Sequence, residues 1–365
     1  EKVIALRKNQ ESKYHLVRIY VDKAEILRSI GDIDRAMSTL AEIEPTLSEF
    51  SWTPVHADFY NRKAAILYEN GDMDMALISV KLSQKISTYS PELNYYSTRR
   101  LSLMGDLLKA IESNSLDLFM QPQVDLASSN IIGAEALIRW EHDQHGFVRP
   151  DEFIPLAEQS GLIRPLTAWV IDKVLQYDKK FQSRGYDIQL SINISAKNIA
   201  EVNLVKNTLD KLIEYNVSPK RIVFEMTETA MMDNPEKALS VLNDLSDLGI
   251  QLSIDDFGTG YSSLSYLNQL PVDELKIDRS FVTDMIQSPQ NQKIVEMTVN
   301  LAHTLGLKVV AEGIEDRDTM VQLQKLGCDV AQGYFIGRPM PEDAFLSWLE
   351  KQAGSNVRSI SRAIK

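Results

Sequence analysis

Polar residues close a series of short β-rich runs where strands buried on both faces should be apolar. In 133–139, Glu135 and Arg139 share parity with Gly133 and Leu137, so a strand of period two puts all four on one face. Asn193 follows Ser191 on one face, and Glu225 ends Ile222-Val223-Phe224. Asp255 and Asp256 end Leu252-Ser253-Ile254, Lys276 shares parity with Asp278, and Glu312 ends Val309-Val310-Ala311. Carboxylates gathered at one end of a sheet repel one another and rise in pKa unless cations bind. Carboxylate and amide oxygens without His or Cys suit Mg²⁺ or Mn²⁺ better than Zn²⁺. The oxygens outnumber what one octahedral ion that keeps some water would take, which points to two ions sharing a carboxylate. Paired ions about 3.5–4 Å apart are the usual device for in-line phosphodiester hydrolysis. These residues therefore predict a metal-dependent phosphoryl-ester hydrolase with an anionic substrate.

The remaining chemistry-bearing residues add little. His142 and His145 are the only closely spaced pair among five histidines, and their Gly-containing surroundings predict solvated loop residues. A single cysteine, Cys328, excludes a disulfide scaffold or thiolate metal site, fits a reducing compartment and predicts a buried thiol.

The elements that must carry the polar residues fall into two parts. From about Leu116, β-rich runs alternate with amphipathic helical stretches. The runs are Leu116 to Gln121, Ile131 to Arg139, Gln189 to Ile194, Arg221 to Glu225, Gln251 to Asp255, Glu274 to Ile277, Lys308 to Ala311 and Val330 to Tyr334. Residues 116–350 suit a (β/α)8 TIM-type barrel, a fold of about 250 residues whose sites lie at the C-terminal mouth. A doubly wound open sheet is the alternative. Its nucleotide fingerprint is missing, since Gly258-Thr259-Gly260 lacks a third glycine and a P-loop lysine.

Residues 1–97 read as an all-α helical-repeat domain, truncated at its N-terminus. Tyr20, Ala24, Leu27, Gly31, Asp32, Asp34 and Ala36 recur 40 residues later as Tyr60, Ala64, Leu67, Gly71, Asp72, Asp74 and Ala76. The pattern resembles tetratricopeptide repeats of about 34 residues, with an enlarged connection around Ser48 to Pro54; a generic helical bundle is the alternative. Residues 98–115 read as a linking helix and 351–365 as a C-terminal tail.

The chain of 365 residues carries a formal charge of −12, which argues against a polymeric nucleic-acid partner. No apolar run approaches the roughly 18 residues of a membrane helix. The start, Glu1-Lys2-Val3, lacks an initiator Met and a signal pattern, so a piece of a longer cytoplasmic protein is expected, with room upstream for a membrane or sensor segment.

Glu135-Ala136-Leu137-Ile138-Arg139-Trp140 resembles the signature of EAL-domain cyclic-di-GMP phosphodiesterases. Phe153 to Glu158, Asn193-Ile194-Ser195, Glu225-Met226-Thr227-Glu228, Asp255 to Leu264, Leu275 to Asp278, Ala311 to Glu315 and Gln332-Gly333-Tyr334 agree in order. The resemblance implies a (β/α)8 barrel with one strand running against the others, often dimeric through the EAL domain. It implies one metal ion on Glu135, Asn193, Glu225 and Asp255, and a second on Asp255, Asp256 and Glu312. Lys276 would contact the nucleophilic water, as general base or only to orient it, with Asp278 close by. Glu228 would act by holding the loop that begins at Asp255. Gln121, Arg139, Glu315 and Gln332 would line the substrate groove, Arg139 on a phosphate. Water attack on cyclic di-GMP would give linear pGpG, with the helical region as regulator or partner surface. A non-catalytic cyclic-di-GMP receptor and a partner-docking protein are the alternatives. Two departures are minor: Met120 stands where Tyr is common, and Gln123 where an apolar residue is.

Overall fold

In the computed structural model, residues 2–47, 54–70, 91–201, 203–232, 234–258 and 264–354 are described, together with Asp72, Met75, Ala76, Ile78 and Ser79. Two compact units result, residues 1–103 and 104–365. The first contains helices Lys2–Ser29, Ile33–Leu47 and Pro54–Glu69. Its core joins Val17, Val21, Ala24, Ala36, Leu40, Ile43, Phe59 and Ile66.

The 40-residue repeat has a hydrogen-bonding basis. Gly31 turns the chain at φ 80° and the Asp32 N–H donates to Leu27 O at 2.9 Å; Asp72 repeats this on Leu67 O at 3.0 Å. Each aspartate then accepts a backbone N–H three residues on, from Arg35 at 3.3 Å and Met75 at 3.2 Å, which caps the following turn. Ala24 and Ala36 are fully buried, as small residues must be where helices cross closely. The expected long connection lies largely outside the described residues, as do Gly71, Asp74 and most of the C-terminal tail. Among the described residues no helix is long and apolar enough to cross a membrane.

Helix Pro91–Glu112 leads into the sheet. Its strands are β1 (Asp117–Asp125), β2 (Ile131–His142), β3 (Gly146–Val148), β4 (Gln189–Asn193), β5 (Ile222–Thr227), β6 (Gln251–Phe257), β7 (Glu274–Ile277), β8 (Lys308–Ala311), β9 (Val330–Gln332) and β10 (Met340–Pro341). From β2 the order β4-β5-β6-β7-β8-β9 is parallel throughout. The antiparallel β1 pairs with both β2 and β9 and closes an eight-stranded barrel. Closure excludes the open sheet, and β1 is the one reversed strand among the eight of the barrel. The hairpin strand β3 and the short β10 are additions on β2 and β1, absent from the sequence reading because they have three and two residues.

Strand parity separates core from site. Ala134, Ala136, Leu190, Ile192, Phe224, Ile254, Leu275 and Ile277 pack into one core with helical residues such as Val174, Phe181, Leu242 and Val295. The alternate residues of the same strands, among them Glu135, Ser191, Asn193, Glu225, Ser253 and Lys276, face the barrel axis.

Candidate active site at the barrel mouth

Four carboxylates, on β2, β5 and β6 and just after β8, converge on one lysine. Lys276 is fully buried, and its Nζ lies 2.6 Å from Glu312 Oε1, 2.7 Å from Glu225 Oε2, 3.3 Å from Asp255 Oδ1 and 3.5 Å from Glu135 Oε2. Burial alone would strip its proton, but the carboxylates outweigh that and hold the ammonium well above the usual lysine range. One cation does not balance four anions. Burial, with Asp255 and Glu135 nearby, pushes Glu312 up to about 7 despite Lys276. Burial likewise lifts Glu225 well above the carboxylate range, Lys276 opposing and Glu135 and Asp255 reinforcing. Burial and the neighbours Asp255 and Asp278 raise Asp256 to about 6.

Glu135 differs. Burial pushes it up, yet Lys276 and the amide donors of Gln332 and Asn193 prevail and hold it below the usual range. Asn193 Nδ2 donates to Glu135 Oε1 at 2.8 Å, and Gln332 Nε2 to Glu135 Oε2 at 2.6 Å. The barrel register explains the grouping: Gln121 sits opposite Glu135 and Gln123 opposite Gln332. Gln332 Nε2 also reaches Gln121 Oε1 at 3.2 Å, and Gln123 Nε2 donates to Gln332 Oε1 at 2.9 Å. Gln123, read from the sequence as a mere departure, is therefore part of the site. A side chain at Gly133 would come within 2.7 Å of Gln123 Oε1, so the bare glycine makes room for it.

The donor set fits divalent cations. Oxygens of Asp255, Asp256 and Glu312 lie within 4.8 Å of one another. Asp256 adopts φ 55°, uncommon for a non-glycine residue, with its N–H on Asp255 Oδ1 at 2.9 Å. Glu225 Oε1 is buried and has no hydrogen-bond partner among the described residues, a cost that a bound cation removes.

Other predicted residues are more peripheral. Asp278 caps helix Arg279–Val282, accepting from the Ser280 N–H at 3.0 Å. Glu228 is buried at the head of helix Glu228–Met232, its Oε2 without a partner among the described residues; 259–263 of the loop it was expected to hold lie outside them. Arg139 lies over the Phe119 ring at 5.5 Å and donates to Ile138 O at 2.8 Å. A hollow of about 470 Å³ beside the carboxylates takes Gln121, Glu135, Glu312, Glu315 and Gln332 into its wall. A second, of about 570 Å³ and more apolar, takes Arg139, Ile154, Pro155 and Asn193; Leu137 lines both. Arg279 and Tyr334, not singled out from the sequence, also line the first. Arg279 had one signal, a basic residue directly after Asp278.

His142 is not the solvated loop residue expected from its surroundings. His142 is buried, its Nε2 3.3 Å from Asp106 Oδ2 on helix Pro91–Glu112, while its Nδ1 accepts from the Gln144 N–H at 3.1 Å. It is a packed anchor of the β2–β3 hairpin. Cys328 is a buried free thiol, as expected, and burial pushes it up to about 12.

The family model that matches, described as EAL domain, covers residues 104–339. The chain is 40% identical over 260 residues to the bifunctional diguanylate cyclase/cyclic di-GMP phosphodiesterase MucR of Pseudomonas aeruginosa, covering 71% of this chain and 38% of that protein. It is 38% identical over 263 residues to the cyclic di-GMP phosphodiesterase PdeR of Escherichia coli K12, covering 72% and 40%. The chain thus spans about two fifths of the length of these curated relatives. A solved structure described as the PaMucR phosphodiesterase in complex with c-di-GMP superimposes with a TM-score of 0.65 at 41% identity, over 67% of this chain and 99% of that one.

Proposed function

The chain belongs to the EAL domain family, and on that footing we propose that its barrel hydrolyses cyclic di-GMP to linear pGpG with divalent metal ions, Mg²⁺ or Mn²⁺. The observation that carries the reading is the convergence of Glu135, Glu225, Asp255 and Glu312 on the buried Lys276. Glu135, Asn193, Glu225 and Asp255 would hold one ion, and Asp255, Asp256 and Glu312 the other. When bound, such ions lower the pKa of water and stabilise charge on phosphoryl oxygens.

The chain's own groups supply placement. The four carboxylates around Lys276 favour its ammonium form in the metal-free protein while bound divalent ions would oppose it, so it would act on the attacking water as general base or as a cation that orients it. Gln332 and Asn193 clamp both oxygens of Glu135 and leave it anionic. Arg139 is placed to meet a phosphate, while Gln121, Asp278 and Glu315 position the rest of the substrate. The two hollows flanking Leu137 suit the two halves of a cyclic dinucleotide. Attack on one phosphodiester then breaks a single P–O ester bond and opens the ring.

The full set of carboxylates with the lysine favours hydrolysis over a receptor that only binds. Residues 1–97 are the proposed regulatory or partner-docking region, and the EAL domain the proposed dimer surface. The test is chromatography of cyclic di-GMP incubated with the chain and Mg²⁺ or Mn²⁺. Linear pGpG supports the proposal; tight binding with no product would move it to the receptor class.

A further inference from the structure

The 40-residue repeat leaves one helix face open in its first copy. Leu16, Ile19, Ile26 and Ile30 are between 44% and 70% exposed. With the exposed Lys23 they fall at alternating spacings of three and four residues, which sets all five along one side of helix Lys2–Ser29 and its last turn. Val17, Val21, Ala24 and Leu27, on the other side, are buried.

The second copy of the repeat shows what such a face meets. Forty residues beyond Leu16, Ile19, Lys23 and Ile26 stand His56, Phe59, Lys63 and Ile66 of helix Pro54–Glu69. Phe59 and Ile66 are fully buried in one cluster with Leu40, Ile43 and Leu47 of the preceding helix, Ile33–Leu47. His56 is buried too, its Nε2 2.8 Å from Leu47 O. Lys63 Nζ donates to Glu44 Oε1 at 2.7 Å and Oε2 at 2.6 Å. The same positions are therefore covered in the second repeat and open in the first. Lys23 lies over the Tyr20 ring at 5.6 Å and has no carboxylate partner among the described residues. Ile30 extends the apolar stripe by one position, where the second repeat has Asn70.

We infer that the stripe from Leu16 to Ile30 docks an amphipathic helix of a partner protein, with apolar residues at i, i+3 and i+7 and a carboxylate at i+4. Leu40, Ile43, Leu47 and Glu44 have that spacing, and Lys23 would meet the carboxylate as Lys63 meets Glu44. A second copy of the chain fits poorly. Stripe against stripe, parallel or antiparallel about its midpoint, would set Lys23 beside Lys23. Head to tail, the positions 40 beyond Ile43, Glu44 and Leu47 are Ser83, Gln84 and Ser87, which offer neither the apolar face nor the charge. The inference rests on the docking role proposed for residues 1–97, to which it gives a surface and a partner chemistry. It is independent of whether the barrel hydrolyses cyclic di-GMP.

The probe is a fluorescein-labelled peptide of residues 33–47 carrying Pro45→Ala, because proline inside a helix would keep an isolated peptide from folding. Titrated with the full chain and followed by anisotropy, it should bind saturably below about 1 mM. Ile26→Glu, at an exposed position, should abolish binding and leave the circular dichroism unchanged. Lys23→Glu should weaken binding roughly tenfold, and a peptide that also carries Glu44→Lys should recover the loss on Lys23→Glu while binding the unmodified chain poorly. No saturable binding would overturn the inference. Binding that survives Ile26→Glu would also overturn it, while keeping the docking role for another face of residues 1–97. Self-association of the chain in sedimentation, lost in Ile26→Glu, would overturn it in favour of a second copy.

Discussion

Gln123 donates its amide N–H to Gln332 Oε1 at 2.9 Å, and this contact sets which end of the Gln332 amide faces Glu135. With its oxygen engaged, Gln332 turns Nε2 to Glu135 Oε2 at 2.6 Å. An acceptor-only group at position 123 would favour the flipped amide, bringing oxygen against oxygen at Glu135. Gln123→Glu should therefore reduce kcat more than Gln123→Leu, although glutamate keeps the shape. The leucine variant should lose about tenfold, the scale of one buried hydrogen bond. Steady-state rates at saturating Mg²⁺ decide it, and the reverse order would show that packing alone matters.

Lys276 is the counter-charge of a site whose four carboxylates are otherwise uncompensated. Lys276→Met should lower the stability of the metal-free protein by about 3–5 kcal/mol, the usual cost of removing one partner from a buried ion pair. Added Mn²⁺ should restore much of it, because a bound cation supplies the missing charge. Thermal unfolding in chelator and in Mn²⁺ gives both values. Equal losses in the two conditions would separate the lysine from the metal site.

The raised carboxyls predict how metal binding depends on pH. Glu312, near 7, and Asp256, near 6, carry protons in the metal-free protein that a cation must displace. Mn²⁺ affinity should thus strengthen as pH rises through about 6 and 7, and level off only once Glu225, itself lifted well above the carboxylate range, is ionised too. Calorimetry should also show proton release that fades at the same point. An affinity independent of pH would contradict the shared site.

Asp255 and Glu228 should respond differently to excess metal. Asp255 is proposed to bridge both ions, so Asp255→Asn removes charge from two sites and Mg²⁺ should rescue it little. Glu228 is proposed to act through the loop after Asp255, and a displacement of about 1 Å can cost roughly 10²-fold. Because its ligands remain, Glu228→Ala should recover in part. Titrating Mg²⁺ against both variants distinguishes the roles, and equal rescue would show them misassigned.

Most of the site was legible in the sequence because strand parity is strict: the residue types at 135, 193, 225, 255, 276 and 312 already share the axis-facing side. What parity cannot reveal is register between distant strands. Gln123 and Gln332 meet only because β1 closes against β9, 209 positions apart in the chain. His142 similarly meets Asp106, 36 residues upstream on a helix, a contact no local pattern reveals. The strands β3 and β10 are too short for any periodic signal, and β1 runs on through Pro122 to Asp125 where a strand end was expected.

The central claim is that the carboxylates around Lys276 form a metal-dependent hydrolytic centre, and Glu135→Ala tests it most directly. That change removes the acceptor of Asn193 and Gln332 and one proposed metal ligand. Conversion of cyclic di-GMP to pGpG should be followed by chromatography for both proteins in Mg²⁺, with circular dichroism to confirm the fold. The unmodified chain should produce pGpG, lose that activity in chelator and regain it with Mg²⁺, while folded Glu135→Ala should fall at least about a hundredfold. Turnover by Glu135→Ala near that of the unmodified chain, or undiminished turnover in chelator, would contradict the account.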